Sequence, residues 1–253
     1  MHLLETSNAI QIATFFLMVL TFGLLEKFRP ARELNIWKDL KVDTLSFALG
    51  VSLSMLCYTW TYNFCTIYFP SSAIKIWDTL GSLPSYLKII FVIITVDFCL
   101  YWLHRAQHST EFLWRTHVWH HSITELYWFS GFRTSFLHSL LYNIPQTVIP
   151  MFVFKLTPIE AGIGYSVGIL VQFWEHTNID VNIGFLKYIF ITPAYHRVHH
   201  SINVRNTNYG TFFSIWDRIF GTYHNPNSVP KDVKLGLDEE LTPGKVARML
   251  TGL

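Results

Sequence analysis

Three long apolar runs, over roughly residues 8–25, 44–69 and 86–103, restrict this chain more than any other feature. Each can cross a hydrocarbon core, which takes about 20 helical residues. Inside lipid every backbone N–H and C=O must be satisfied by the protein itself, so uninterrupted runs of this length read as helices. Two further apolar stretches, near residues 136–156 and 159–174, are separated by the step Thr157-Pro158, too short for a folded domain. They read as a helical hairpin, spanning or re-entrant, whose first arm Pro145 and Pro150 should kink. Half of the 253 residues are hydrophobic (51%) and few are charged (14%), which fits a membrane protein better than a soluble domain. The expected fold is all-α: an integral membrane helical bundle of three spanning helices plus the hairpin, with a histidine-rich cytoplasmic cap.

Charge asymmetry sets the expected orientation. The stretch from Glu26 to Lys41 carries Lys27, Arg29, Arg32, Lys38 and Lys41, whereas residues 70–84 carry Lys75 as their only basic residue. By the positive-inside rule the first connection is cytoplasmic and the second lies on the far side. The third run then returns inward and ends at His104. The hairpin enters and comes back, which brings His176 and the polar tail to the same side. The chain opens Met-His-Leu-Leu-Glu, with no basic n-region and no small-residue cleavage site after the first run, so that run reads as a retained helix and not as a signal peptide.

Nine of the twelve histidines therefore fall at one face. They read His104-Arg-Ala-Gln-His108, His117-Val-Trp-His120-His121 and His196-Arg-Val-His199-His200, with His176 at the end of the hairpin. Residues three and four apart share a helix face, so each cluster can aim two or three imidazoles at one point. Neutral imidazole is the commonest side-chain metal ligand. This many converging rings exceeds what one ion needs and points to two metals at a membrane surface. Imidazole suits zinc, copper, iron and nickel alike, but a closed structural zinc site takes only four ligands. Two ions with open positions fit oxygen chemistry.

Asp97, Tyr101, His104 and His108 follow at steps of four, three and four, on one helix face. An ionisable residue within an apolar run is costly; Asp97 is expected either to accept a ligand imidazole's second N–H or to make a helix–helix contact. His138, near the start of the hairpin, is a candidate ligand or neighbour of the ligands. Glu175 is expected beside the site without joining it, and His2 and His224 read as solvent-exposed. Arg105, Arg115, Arg133 and Arg197 read as anchors snorkelling to the head-group level. Trp102, Trp114, Trp119 and Trp128 read as an interfacial belt. Cys57, Cys65 and Cys99 form no CxxC pair and read as buried small hydrophobes. A net charge of +2 makes no case for nucleic acid as a partner.

On these residues the chain resembles the fatty acid hydroxylase / sterol desaturase superfamily of membrane di-iron enzymes. The resemblance covers roughly residues 97–223. It is most specific at Thr192-Pro-Ala-Tyr-His196-Arg-Val-His199-His200-Ser-Ile-Asn203, Asn208-Tyr-Gly210 and Trp216-Asp-Arg-Ile-Phe-Gly-Thr222. Where some sterol-modifying branches carry His-Pro-Leu-Glu, this chain carries Ser135-Phe-Leu-His138. The resemblance implies one membrane domain over residues 1–253. Residues 1–103 would supply the N-terminal spanning helices, and residues 104–253 a di-metal catalytic region with the hairpin at about 136–176. It implies two iron ions with O2 as co-substrate, attacking a C–H bond of a fatty acyl chain or sterol-like lipid drawn from the bilayer. Its ligands would be His104, His108, His117, His120, His121, His176, His196, His199 and His200, backed by Asp97, His138 and Asn203. Electrons would come from a separate cytochrome b5, ferredoxin or reductase, since no HPGG haem motif is present. A bacterial inner membrane and an endoplasmic reticulum membrane read alike.

Two other classes compete with this reading. A membrane metal transporter would place polar ligands near the bilayer midplane along a path. A bis-histidine haem electron carrier would use single histidines on facing helices. Clusters at segment ends, spaced i, i+3, i+4, argue against both.

Overall fold

In a computed structural model the structure describes residues 2–69, 75–239 and 241–253. The helices in chain order are α1 (His2–Phe28), α2 (Leu40–Tyr68), α3 (Lys75–Gly81), α4 (Ser85–Ser109), α5 (Glu111–His121), α6 (Phe136–Val148), α7 (Pro158–His176), α8 (Pro193–His199), α9 (Ile215–Ile219) and α10 (Pro243–Thr251). Among the described residues there is no β-strand, only isolated bridges at Pro30–Ile179, Phe190–Phe213 and Ser201–Leu235. Three helices, over Ala9–Phe28, Leu40–Tyr68 and Ser85–Ser109, are long and apolar enough to cross a membrane. Their outer faces present side chains such as Phe16, Leu20, Met55 and Ile67, as lipid-facing helices do. The chain is a helical membrane bundle.

The hairpin inserts between these helices: α7 packs along α1 and α6 along α2. Pro145 sits inside α6, and the helix widens into a π-helical turn over Ile149–Val153, around Pro150. Proline there breaks the i→i−4 ladder, and the turn absorbs the loss. A capping box between Thr157 and Glu160, with Pro158 at the first helical position, restarts the chain as α7. The hairpin tip (Ile149, Phe154, Leu156) packs on Val92 of α4. Nearby, Lys88 of α4 and Glu160 of α7 form a buried ion pair at 2.7 Å. Each neutralises a charge that α4 and α7 would otherwise carry bare into the apolar interior.

At the opposite end α4 continues unbroken through His104 and His108 to Ser109. Thr110 then adopts extended φ/ψ and caps α5 by accepting from Leu113 N–H. The polar tail forms a cap on this end. The basic connection between α1 and α2 docks there as well: Ala31 N–H donates to Asn178 O at 2.9 Å, and Arg32 Nη1 to Val233 O at 3.0 Å. The connection at residues 70–74, part of the segment expected on the far side, lies outside the described residues, as does the side chain of His2.

Candidate metal centre

The nine clustered histidines meet in one place, as two groups. His104, His108, His117, His121 and His199 form one; His120, His176, His196 and His200 form the other. Within each group one nitrogen per ring lies within 4.8 Å of every other. The two HxxHH triplets do not stay whole. Each gives its i, i+4 pair to one group and its middle ring to the other: His117 and His121 against His120, His196 and His200 against His199. Of the two or three imidazoles expected from each triplet at one point, two meet there, for a geometric reason. Successive residues on a helix point about 100° apart, so adjacent histidines cannot serve one ion. Lying together, α5 and α8 turn that divergence into a double site.

Eight of the nine rings are buried and His108 is half-buried, and four of the outer nitrogens are pinned by carbonyls. His104 Nδ1 lies 2.8 Å from Tyr209 O, His199 Nδ1 2.8 Å from Thr207 O, His120 Nδ1 3.1 Å from Arg133 O and His176 Nδ1 3.0 Å from Gln172 O. A carbonyl only accepts, so each of these Nδ1 atoms donates and each Nε2 keeps its lone pair. The Nε2 atoms face inward at close range: His104 to His117 at 3.0 Å, His121 to His199 at 3.1 Å, His120 to His176 at 3.2 Å, and His196 to both His176 and His200 at 3.1 Å. Between His120 and His176 two lone pairs therefore confront each other with no proton to share. Burial first, then the neighbouring rings, holds His117, His121, His196 and His200 well below the ordinary imidazole range. His120 is pushed down to about 4 and His199 to about 3, again chiefly by burial. Neutral rings with converging lone pairs call for a cation. With metal–imidazole bonds of about 2.0–2.1 Å, neighbouring ligand nitrogens stand about 2.9–3.4 Å apart, the spacing seen here. The residues present fit two bound metal ions.

Around the rings the structure corrects several expectations. Asp97 reaches no imidazole. It accepts from Thr211 Oγ1 (2.6 Å), Phe212 N–H (2.9 Å), Phe213 N–H (3.1 Å) and Trp216 Nε1 (2.8 Å), so it ties the cap to α4. That loop carries Thr207 and Tyr209, and Asp97 thus acts on the rings through the backbone. Asn203 is exposed, with only its backbone N–H bonded, to Ser201 Oγ; it follows the triplet in sequence but leaves the buried shell. His138 does belong beside the site: its Nδ1 lies 3.1 Å from His117 Nδ1 and accepts from Gln107 Nε2 at 3.3 Å. His224 is partly buried, its N–H donating to Asn208 Oδ1 at 2.7 Å, so it is not a free surface residue.

The arginines and tryptophans also depart from the expected belt. Arg115 is exposed and pairs with Glu111, but Arg133 is buried between Asp39 (3.0 Å) and Asp43 (2.5 Å), and Arg197 is buried in the cap. Arg105 lies over the Trp102 ring at 5.3 Å. Trp119 is buried, Trp114 packs against His108 and His121, and Trp128 stacks on Phe173 at 4.7 Å. Close-packed neighbours, which single-sequence patterns do not display, claim Arg133, Arg197, Trp114, Trp119 and Trp128, whereas Arg115 and Trp102 stay exposed as expected. Cys57 and Cys65 are buried and Cys99 partly so, all three as free thiols.

Sequence reasoning missed three supports. Asp217 accepts from Tyr209 N–H and Gly210 N–H (both 2.8 Å), Thr222 Oγ1 (2.7 Å) and the Tyr195 hydroxyl, fixing the loop whose carbonyls hold His104 and His199. The motif Trp216-Asp217 was its only signal. Arg133, clamped by α2, presents its carbonyl to His120. Gly131 lies flat against His176: a Cβ there would stand 2.4 Å from its Cγ. A cleft of about 630 Å³ opens from the surface onto His108, His121, His199 and His200.

Comparisons with known proteins agree with this architecture. The family model described as fatty acid hydroxylase matches residues 89–222. The chain is 33% identical over 169 residues to an ornithine lipid hydroxylase of Rhizobium tropici, covering 66% of this chain and 50% of that protein. It is 34% identical over 176 residues to an alkylglycerol monooxygenase of Xenopus tropicalis, covering 69% and 36% respectively. Against a lathosterol oxidase of Homo sapiens it is 29% identical over 178 residues, covering 68% and 58%. The chain thus spans about half or less of the length of the first two. No solved structure matches it.

Proposed function

Because this chain belongs to the fatty acid hydroxylase family, we propose that it oxidises a C–H bond of a membrane lipid at a pair of irons held by its nine clustered histidines. The observation that carries the reading is the double group of buried neutral imidazoles, lone pairs inward, at the inner end of an apolar helix. His104, His108, His117, His121 and His199 would hold one ion, and His120, His176, His196 and His200 the other. When bound, the two irons supply the reduction of O2 and the removal of hydrogen from an unactivated carbon.

The protein's own residues supply position and dryness. Carbonyls of Tyr209, Thr207, Arg133 and Gln172 fix four ring tautomers before any ion arrives, and burial keeps the rings unprotonated. The apolar outer faces of α1, α2 and α4 suit an acyl chain of the adjoining leaflet. The cleft over His108, His121, His199 and His200 lies on the cap side, open to O2 and to a separate electron donor such as a cytochrome b5, ferredoxin or reductase. The connection between α1 and α2, which carries Arg29, Arg32 and Lys38, docks on this same end, which supports a cytoplasmic site. The substrate class follows the relatives: identity is higher to the ornithine lipid hydroxylase and alkylglycerol monooxygenase than to the sterol enzyme. Hydroxylation of a lipid alkyl chain is therefore favoured over desaturation of a sterol.

The test is comparative lipidomics of cells expressing the chain under 18O2. A lipid that gains one labelled oxygen, and does so only while His120 and His199 are intact, is the expected result. A product that survives His120→Ala and His199→Ala overturns the assignment, and loss of two hydrogens without label replaces hydroxylation by desaturation.

A further inference from the structure

The four-ring group has a partner that the five-ring group lacks. Two of its outer nitrogens, His196 Nδ1 and His200 Nδ1, are buried with no hydrogen-bond partner. Toward the first of them points the carboxylate of Glu175, itself buried, with Oε1 3.4 Å from His176 Nδ1 and Oε2 4.0 Å from His196 Nδ1. Oε2 too has no hydrogen-bond partner. A buried carboxylate oxygen without a donor and a buried ring nitrogen without an acceptor are each costly. Here they face one another about 1 Å beyond hydrogen-bonding range. Three rings of the other group turn their outer nitrogens to uncharged acceptors, the carbonyls of Tyr209 and Thr207 and the ring of His138, and the unpartnered His108 Nε2 has no carboxylate facing it.

We propose that Glu175 is a positioning residue for the four-ring site alone, its Oε2 closing on His196 Nδ1–H when an ion binds to the inner nitrogens. The assignment rests on the metal reading above. An ion on Nε2 draws electron density from the ring, strengthens the Nδ1–H as a donor and attracts the carboxylate. Ligating histidines commonly give their second N–H to such a group, and losing it costs about 10–100-fold in metal affinity. One ion is then held by four rings and an adjacent negative charge, the other by five rings and neutral acceptors. The two sites therefore differ in the charge set around them.

The experiment strips the full chain, in detergent, of metal and titrates it with cobalt(II), whose visible absorption reports its ligand field. Wild type is expected to take up two ions. Glu175→Gln weakens one of them by about 10–100-fold and shifts only the spectral component that His176→Ala removes, leaving the component that His117→Ala removes. The metal-free Glu175→Gln protein melts no lower than metal-free wild type, because without an ion Oε2 has no hydrogen bond to lose. Equal weakening of both ions, unchanged binding of both, or a Glu175→Gln chain that fails to fold without metal overturns the proposal. Wild type that binds no cobalt overturns the metal reading itself, and that result needs no variant to be recognised.

Discussion

The two ring groups share α5 and α8 yet are set from opposite sides of the molecule. The five-ring group takes His104 and His108 from the C-terminal end of α4, and two of its outer nitrogens lean on the cap loop through Thr207 O and Tyr209 O. That loop is itself held by Asp97 and Asp217. The four-ring group takes His176 from α7, and its outer nitrogens lean on the hairpin region through Gln172 O and Arg133 O. Arg133 is in turn clamped by Asp39 and Asp43 of α2. One group is therefore fastened from the cap and the other from the membrane bundle. A paired site built this way demands that both halves of the fold be in place before either group is complete.

The largest expected effect strikes both groups alike. Burial lowers the folded pKa of His117, His120, His121, His196, His199 and His200, whereas the unfolded chain takes up protons near the ordinary value of 6.5. Stability without metal is therefore present above about pH 6.5 and lost as pH falls below it, by up to about 1.4 kcal/mol per pH unit for each ring. Thermal midpoints of chelator-treated protein from pH 7.5 down to 4.5 should drop steeply; a flat profile would mean that the rings are not buried in neutral form.

Two substitutions separate the groups. Asp217→Ala leaves the N–H of Tyr209 and the hydroxyl of Tyr195 without their acceptor, each at about 1–3 kcal/mol, and takes one of two partners from Gly210 N–H and the Thr222 hydroxyl. We expect a lower melting temperature and loss of metal from the five-ring group first, read as metal per chain; simultaneous loss from both groups would break the comparison. Gly131→Ala drives a methyl into His176 at a cost of about 1–3 kcal/mol. It should empty the four-ring group and spare the other, with the same readout. Asp97→Asn keeps the volume but converts half of an acceptor pair into a donor. It should weaken the five-ring group by about 1 kcal/mol per hydrogen bond lost, seen as faster loss of one ion to chelator. At the small end, Arg115→Gln removes an exposed i, i+4 pair on the outer face of α5, worth about 0.3–0.5 kcal/mol. Neither metal content nor lipid product should change.

The sequence by itself determined the elements and the supply of histidines at their ends. Apolar runs of bilayer length dictate helices whatever surrounds them. Charge asymmetry around them puts His104, His176 and the tail at one end, and the spacing of Asp97, Tyr101, His104 and His108 fixes their common face. Only the tertiary structure decided how the rings are shared out. The split of each HxxHH triplet depends on where α5 and α8 lie relative to α4 and α7. The same is true of Asp97 and Asp217 clamping the cap, and of Arg133 facing α2 and not the head-groups. Helical periodicity is a property of neighbours along the chain; which nitrogen meets which lone pair is a property of residues up to a hundred positions apart, and packing alone settles it.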